Sequence, residues 1–311
     1  MTNIPLVLPD RFVRTIHESF QERGAPWLDG LSARLAAYAD RWSLTILAPF
    51  PNLSFNYVTP VLRADGTEAV LKVGVPNREL NTEISALRVY DGRGSVQLLE
   101  SDQEQGVMLL ERLKPGNVLT ALASEERDEE ATSIAADVMR KLWQPAPQDH
   151  PFPTVADWAD GMQRLRSHFN GGVGPFPLAL VEEAETLFAE LLGSMSAPVL
   201  LHGDLHHDNI LSAERQPWLA IDPKGIVGEP AYEVGAMLRN LWEDRHPISH
   251  PDRLLERRII QLSEELDLDR SRVRGWAVAQ SVLSAWWCME DNSDCWKDAI
   301  VTTELLATVK A

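Results

Sequence analysis

Apolar side chains at the start of the chain recur at helical intervals. Leu28, Leu31, Leu35 and Tyr38 share one face, which predicts a helical preface ending near Trp42. The pattern then turns β-rich, with strands expected over residues 43–50, 55–62 and 68–75 and with Ala64-Asp65-Gly66 as a hairpin turn between the last two. Asn77 can cap a helix running to about Tyr90, closed by Gly92 and Gly94, and two further strands are expected over 96–100 and 107–110. The order is β-β-β-α-β-β, an antiparallel sheet carrying one helix.

Beyond Glu111-Arg112-Leu113 the period changes. Lys114-Pro115-Gly116 breaks the strand, and residues 124–143, 154–169, 178–195 and 231–242 follow the 3.6-residue repeat. Val155, Trp158, Met162, Leu165 and Phe169 form the clearest stripe. A boundary is therefore expected here, giving domains 1–111 and 112–311 of an α+β protein with a small antiparallel-sheet N-terminal lobe and a larger, mostly helical C-terminal lobe. The helical run is interrupted over 199–222, where short apolar strands at 199–201 and 218–221 flank a polar loop. Residues 170–177, rich in glycine and proline, read as another loop.

Composition narrows the function classes. With 311 residues, 44% of them hydrophobic, the chain can bury a sizeable core. A formal charge of -17 repels phosphate backbones and anionic lipid, so neither nucleic acid nor membrane is an expected partner. The same charge attracts a cationic ligand, or serves solubility alone. Residues 43–62 lack charge, but Pro49, Pro51, Asn52, Asn56 and Pro60 would interrupt a membrane span, and strand, turn and strand explain them better. Cys288 and Cys295, the only two cysteines, fall in helical sequence, which leaves neither a disulfide framework nor a cysteine-based zinc cluster. A reducing cytoplasm is the expected location, because the N-terminal apolar stretch at 4–8 contains Pro5 and forms no secretion signal.

The chemistry concentrates in His202-Gly203-Asp204-Leu205-His206-His207-Asp208-Asn209, followed by Ile210-Leu211 and then Ile221-Asp222. An Asp, an Asn five positions later and a second Asp on the next strand have the spacing of a kinase catalytic loop and its metal-binding aspartate. Asp204 can accept a hydrogen bond from an attacking hydroxyl and orient it, while Asn209 and Asp222 offer the hard oxygens that magnesium prefers. Zinc held by His202, His206 and His207 is the rival reading. Adjacent His206 and His207 point differently, however, and no fourth ligand is evident, so His202 is expected to orient the loop.

The His-Gly-Asp opening is similar to that of the aminoglycoside phosphotransferase family, which shares the protein-kinase-like fold and acts on small molecules. Ile221-Asp222-Pro223-Lys224-Gly225, Gly228-Glu229-Pro230-Ala231-Tyr232-Glu233 and Leu238-Arg239-Asn240 resemble its streptomycin 6-phosphotransferase and hydroxyurea phosphotransferase branch. The resemblance implies a bilobal fold with ATP or GTP and Mg2+ in the interlobe cleft, and direct transfer of the γ-phosphate to a small, cationic acceptor's hydroxyl. The best-fitting acceptor is the 6-hydroxyl of streptomycin; hydroxyurea or a sugar or cyclitol is the alternative in the same class. A nucleotide-binding pseudokinase is the alternative of another class.

Ala69-Val70-Leu71-Lys72-Val73 matches the strand bearing the phosphate-binding lysine of such folds, with Glu83 eleven positions on as its ion-pair partner and Glu79 as a competitor. The phosphate loop departs from the kinase pattern. Residues 49–56 contain no glycine, so Asn52 or Ser54 is expected to donate to phosphate. Glu111 to Leu113 aligns with the connector whose backbone bonds the nucleobase. Acidic candidates for the acceptor are Glu229, Glu233, Glu243, Asp244, Glu290, Asp291 and Asp294. Trp276, Leu283, Trp286 and Trp287 read as helix core, or as an aromatic edge beside a cation.

Overall fold

The computed structural model describes residues 6–122, 124, 126–241, 248–291 and 293–310. The chain divides into two compact units, Met1–Gly92 with Val96–Lys114, and Arg93–Ser95 with Pro115–Ala311.

The first unit begins with α1 (Asp10–Phe20) and α2 (Gly24–Trp42), followed by β1 (Leu44–Ile46), β2 (Asn56–Arg63), β3 (Glu68–Gly74), α3 (Arg78–Tyr90), β4 (Leu98–Asp102) and β5 (Val107–Glu111). The strands form an antiparallel sheet ordered β1-β2-β3-β5-β4, with Lys72 paired between Val58 and Met108. Strand alternation decides what each face does. Tyr57, Val61, Leu71, Val73 and Leu109 are buried in one cluster with Phe12, Ile16, Leu31 and Leu35 of the preface helices. Lys72, between Leu71 and Val73, is turned to the opposite face, toward α3. The Asn77 side chain accepts from Leu80 N–H and starts α3 as its sequence predicts. The helix exits through Asp91 in the left-handed region, ahead of the expected glycines.

The second unit contains β6 (Pro115–Val118), α4 (Asp128–Leu142), α5 (Val155–His168), α6 (Leu178–Gly193), β7 (Val199–Leu201), β8 (Ile210–Ala213), β9 (Trp218–Ala220), β10 (Ile226–Gly228), α7 (Pro230–Arg239), α8 (Pro251–Leu266), α9 (Arg270–Glu290) and α10 (Trp296–Thr308). Two small sheets, β6-β8-β9 and β7-β10, hold the polar loop among the helices. Gly116 does turn the chain, at φ 76°, but β6 forms there and pairs with β8, a pairing that local breaker signals cannot reveal. A Thr154–Asp157 capping box starts α5.

The cysteine reading requires correction: Cys288 and Cys295 form a disulfide. In one continuous helix, seven residues would separate their α-carbons by about 10 Å. The break between α9 and α10 instead brings them to 5.7 Å, within disulfide reach. The expectation of a reducing compartment therefore has no support from the cysteines. Among the described residues, no helix is long and apolar enough to cross a membrane.

Candidate active site

In the first unit, Lys72 Nζ lies 2.6 Å from Glu83 Oε1, and both side chains are buried. Desolvating two charges is costly, so each is stable there only with its partner. Glu79 is exposed on the same helix, and the lysine takes Glu83. Asn52 and Ser54 are exposed in the segment between β1 and β2, which Leu53 anchors in the core and Phe50 braces by packing 4.9 Å from the Arg112 guanidinium. Glu111 ends β5 with its carboxylate accepting from Gln97 N–H, and Leu113 is buried.

In the second unit the polar loop is fixed from behind. β7 and β10 pair antiparallel with Leu201 opposite Ile226. The next two backbone amides, His202 N–H and Gly203 N–H, donate to the two Glu233 oxygens at 2.6 and 2.9 Å. Burial pushes the Glu233 carboxyl up to about 7 against those two bonds. Gly203 has φ 85°, and a β-carbon there would lie 2.9 Å from Ile226 Cγ2 and 3.1 Å from the Trp158 ring, so glycine is required. His202 is fully buried and pairs through Nε2 with the Ile221 carbonyl at 2.8 Å, while its Nδ1 accepts from Asp204 N–H at 3.3 Å. That arrangement needs the neutral ring protonated on Nε2, and burial holds the histidine down at about 4.

Asp204 is the focus of these contacts. Its Oδ1 accepts from Arg239 Nη2 at 2.6 Å, its Oδ2 lies 3.9 Å from His206 Nε2, and a quarter of the side chain remains exposed. Burial pushes the carboxyl up, but Arg239 first, then His206 and Lys224, hold it at about 2. The second Arg239 nitrogen donates to Ser284 Oγ at 3.2 Å, fixing the guanidinium plane. Arg239 has no sequence-predicted role. The available signal is a charged residue ending a helix whose residues 231–238 are all buried, where a cation needs an anion.

Asn209 donates its amide nitrogen to the Asp204 carbonyl at 2.9 Å, so its Oδ1 is the atom left to ligate a cation. Its backbone carbonyl accepts from Ile221 N–H, and the β8–β9 hairpin thereby sets Asn209 beside the strand end that leads into Asp222. Asp222 is exposed at φ 58°. One amide oxygen and one carboxylate are hard donors fitting Mg2+, which takes its remaining ligands from water and phosphate. Thr120 Oγ donates to Asp208 at 2.5 Å, and buried His207 lies 3.5 Å from Arg258, itself paired with buried Asp128 at 2.6 Å. Both ring nitrogens of His202 are engaged by the backbone and His207 lies against Arg258, away from Asp204 and His206. Among the described residues, no cluster of three or more histidine, cysteine or acidic side chains could hold a metal, which removes the zinc reading.

The acceptor candidates fare differently. Glu233 is occupied by the loop backbone. Glu229 is buried, accepting from Arg272, Ser196 and the Trp276 indole. Both belong to the framework, a correction to their expected role. Glu290 pairs with Arg164 and Asp294 with Lys297. Asp291 is exposed at the end of α9. Glu243 and Asp244 lie outside the described residues.

Residues 41–292 match the family described as aminoglycoside/hydroxyurea antibiotic resistance kinase. A streptomycin 6-kinase of Streptomyces griseus is 36% identical over 92% of this chain and 92% of its own. A hydroxyurea phosphotransferase of Kitasatospora aureofaciens is 35% identical over 86% and 76% respectively. Among solved structures, an aminoglycoside phosphotransferase APH(4)-Ia in ternary complex with ADP and hygromycin B aligns with a TM-score of 0.60 at 14% identity, covering 88% of this chain and 96% of that one. The choline kinase LicA from Streptococcus pneumoniae aligns at 0.59 and 12% identity, over 89% of this chain and 100% of its own. These likenesses show the protein-kinase-like fold, and with the match over most of its length the chain belongs to the aminoglycoside/hydroxyurea antibiotic resistance kinase family.

Proposed function

We propose that the protein is an O-phosphotransferase that moves the γ-phosphate of ATP, or of GTP, to the 6-hydroxyl of streptomycin. The observation that carries the reading is Asp204, paired with Arg239 and fixed by the backbone of its loop, with Asn209 bonded to that loop and to the strand end before Asp222. Asp204 accepts the proton of the acceptor hydroxyl as its oxygen bonds to the γ-phosphorus and the bond to the β–γ bridging oxygen breaks, releasing the nucleoside diphosphate. Lys72, held by Glu83, contacts phosphate oxygens, and Asn52 or Ser54 adds donors to them. Asn209 and Asp222 would hold Mg2+, which neutralises phosphate charge when bound. The carbonyls from Glu111 to Leu113 meet the nucleobase. Positioning and electrostatics supply the catalysis, and no covalent protein intermediate is needed.

Streptomycin's guanidinium groups suit a chain of charge -17. The hydroxyurea phosphotransferase among the relatives supports a second reading, hydroxyurea as the acceptor on the same residues. The test is diphosphate release by the full chain with ATP and Mg2+, with and without streptomycin or hydroxyurea, plus mass and NMR analysis of the product. Streptomycin-dependent release with phosphate on the 6-oxygen is expected. Release stimulated only by hydroxyurea would select the second reading, and no stimulation by either acceptor, with ATP or GTP, would overturn both.

A further inference from the structure

From the geometry around Asp204 we infer that the cationic group of the acceptor is received on an aromatic corner made by Trp158 of α5 and Trp287 of α9. This inference rests on the phosphotransfer reading. Trp158 borders the catalytic loop directly, since its ring would meet a β-carbon on Gly203, the residue before Asp204, at 3.1 Å. Trp287 packs edge-to-face on Trp158, with centroids 5.1 Å apart and planes at 86°. Both rings remain partly exposed, whereas the neighbouring α9 residues 281–283, 285 and 286 are buried.

The corner continues along one face of α9. Ser284, Trp287 and Asp291 are spaced three and four residues apart and therefore line up. Ser284 accepts from the Arg239 that holds Asp204, so the stripe begins at the base and runs out to an exposed carboxylate. The Cys288–Cys295 disulfide fixes the end of the helix just beyond Trp287. Glu290, one residue away on the adjoining face, is held by Arg164 through two hydrogen bonds and does not enter the stripe. A hydroxyl acceptor to be placed on Asp204 thus has two neighbours of the same loop to reckon with, the guanidinium of Arg239 and the partly exposed indole corner of Trp158 and Trp287. A planar guanidinium or an ammonium group on the acceptor is repelled by Arg239 and attracted by the indoles, which orients the molecule with its cation toward Trp287 and Asp291.

The experiment compares Trp287→Leu, Trp287→Phe and Trp158→Phe with wild type. The readouts are steady-state kinetics for streptomycin and for ATP, and a streptomycin titration followed by tryptophan fluorescence without nucleotide. Leucine keeps apolar bulk but lacks a π-face, so Trp287→Leu is expected to raise the KM for streptomycin about tenfold, within the usual strength of a cation–π contact. Trp287→Phe is expected to stay within about threefold of wild type. The KM for ATP is expected to be unchanged in every variant, which separates recognition from a folding defect. Wild-type turnover with an unchanged streptomycin KM in Trp287→Leu would overturn this inference and leave the phosphotransfer reading standing. Wild type with neither turnover nor a fluorescence response would overturn both.

Discussion

Replacing Arg239 with leucine separates two things this residue does to Asp204. Its Nη2 lies 2.6 Å from Oδ1, and the two side chains are only 16% and 25% exposed. At such a partly screened site the ion pair is worth about 1–3 kcal/mol after desolvation, well below the ~4 kcal/mol of an unscreened near-surface pair. Arg239 is the largest influence holding the Asp204 carboxyl down at about 2, against burial that pushes it up. Its loss is expected to raise that pKa by about 1–3 units. A depressed carboxyl contributes stability above its unfolded pKa of about 3.9, lost as pH falls toward its folded value, so Arg239→Leu forfeits this contribution. In kcat/KM against pH, the acid limb is expected to move up toward about pH 5. Near neutrality the carboxylate is ionised in both proteins, and any loss there reports orientation. A carboxylate released from the Arg239 Nη2 bond is expected to lower kcat by about 10–100-fold. Arg239→Lys, restoring charge without the fork, should return the acid limb and recover only part of kcat. An unshifted acid limb with kcat within about twofold of wild type would refute the coupling, given the ~1 kcal/mol minimum expected from such a pair.

The remaining predictions concern the supports of each unit. Lys72→Met strands buried Glu83, so unfolding free energy in urea should fall by about 3–5 kcal/mol; adding Glu83→Leu should restore stability but not transfer. Gly203→Ala forces a side chain at φ 85° into Ile226 and Trp158, and should cost about 1–3 kcal/mol with a loss of kcat larger than that of Gly171→Ala, where the β-carbon meets nothing. Asp128→Ala leaves Arg258 buried without its carboxylate behind His207, with an expected loss of about 3–5 kcal/mol by the same urea measurement. Reduction of the Cys288–Cys295 disulfide should lower stability by about 2 kcal/mol, as expected for a short loop.

The fold was legible where local signals and chemistry coincide. The Asn77 cap, the hairpin at Asp65-Gly66 and the stripe of α5 are written into short stretches of sequence, and the structure has each of them. Asp204, Asn209 and Asp222 stood out because metal and proton chemistry restricts residue type and spacing together. The partners of carboxylates were not legible. Glu229 and Glu233 look like any acidic residues at a helix start, and only the packing of α7 beneath the loop turns them inward to Arg272 and to two backbone amides. Arg239 was hidden for the same reason, since its partner lies 35 residues away in sequence. The disulfide escaped because one helix through 288–295 would hold the two cysteines apart, and the polar run Glu290-Asp291-Asn292-Ser293-Asp294 between them was given no weight as a break.

The central claim is that Asp204 orients the acceptor and receives its proton, and Asp204→Asn tests it most directly. Asparagine keeps the volume and can still accept a hydrogen bond, but it cannot take the proton. Streptomycin-dependent diphosphate release should fall by at least about 100-fold, in line with general-base catalysis, while ATP binding measured by calorimetry stays within about threefold, because phosphate recognition is assigned to other residues. Full transfer activity in Asp204→Asn would contradict the account.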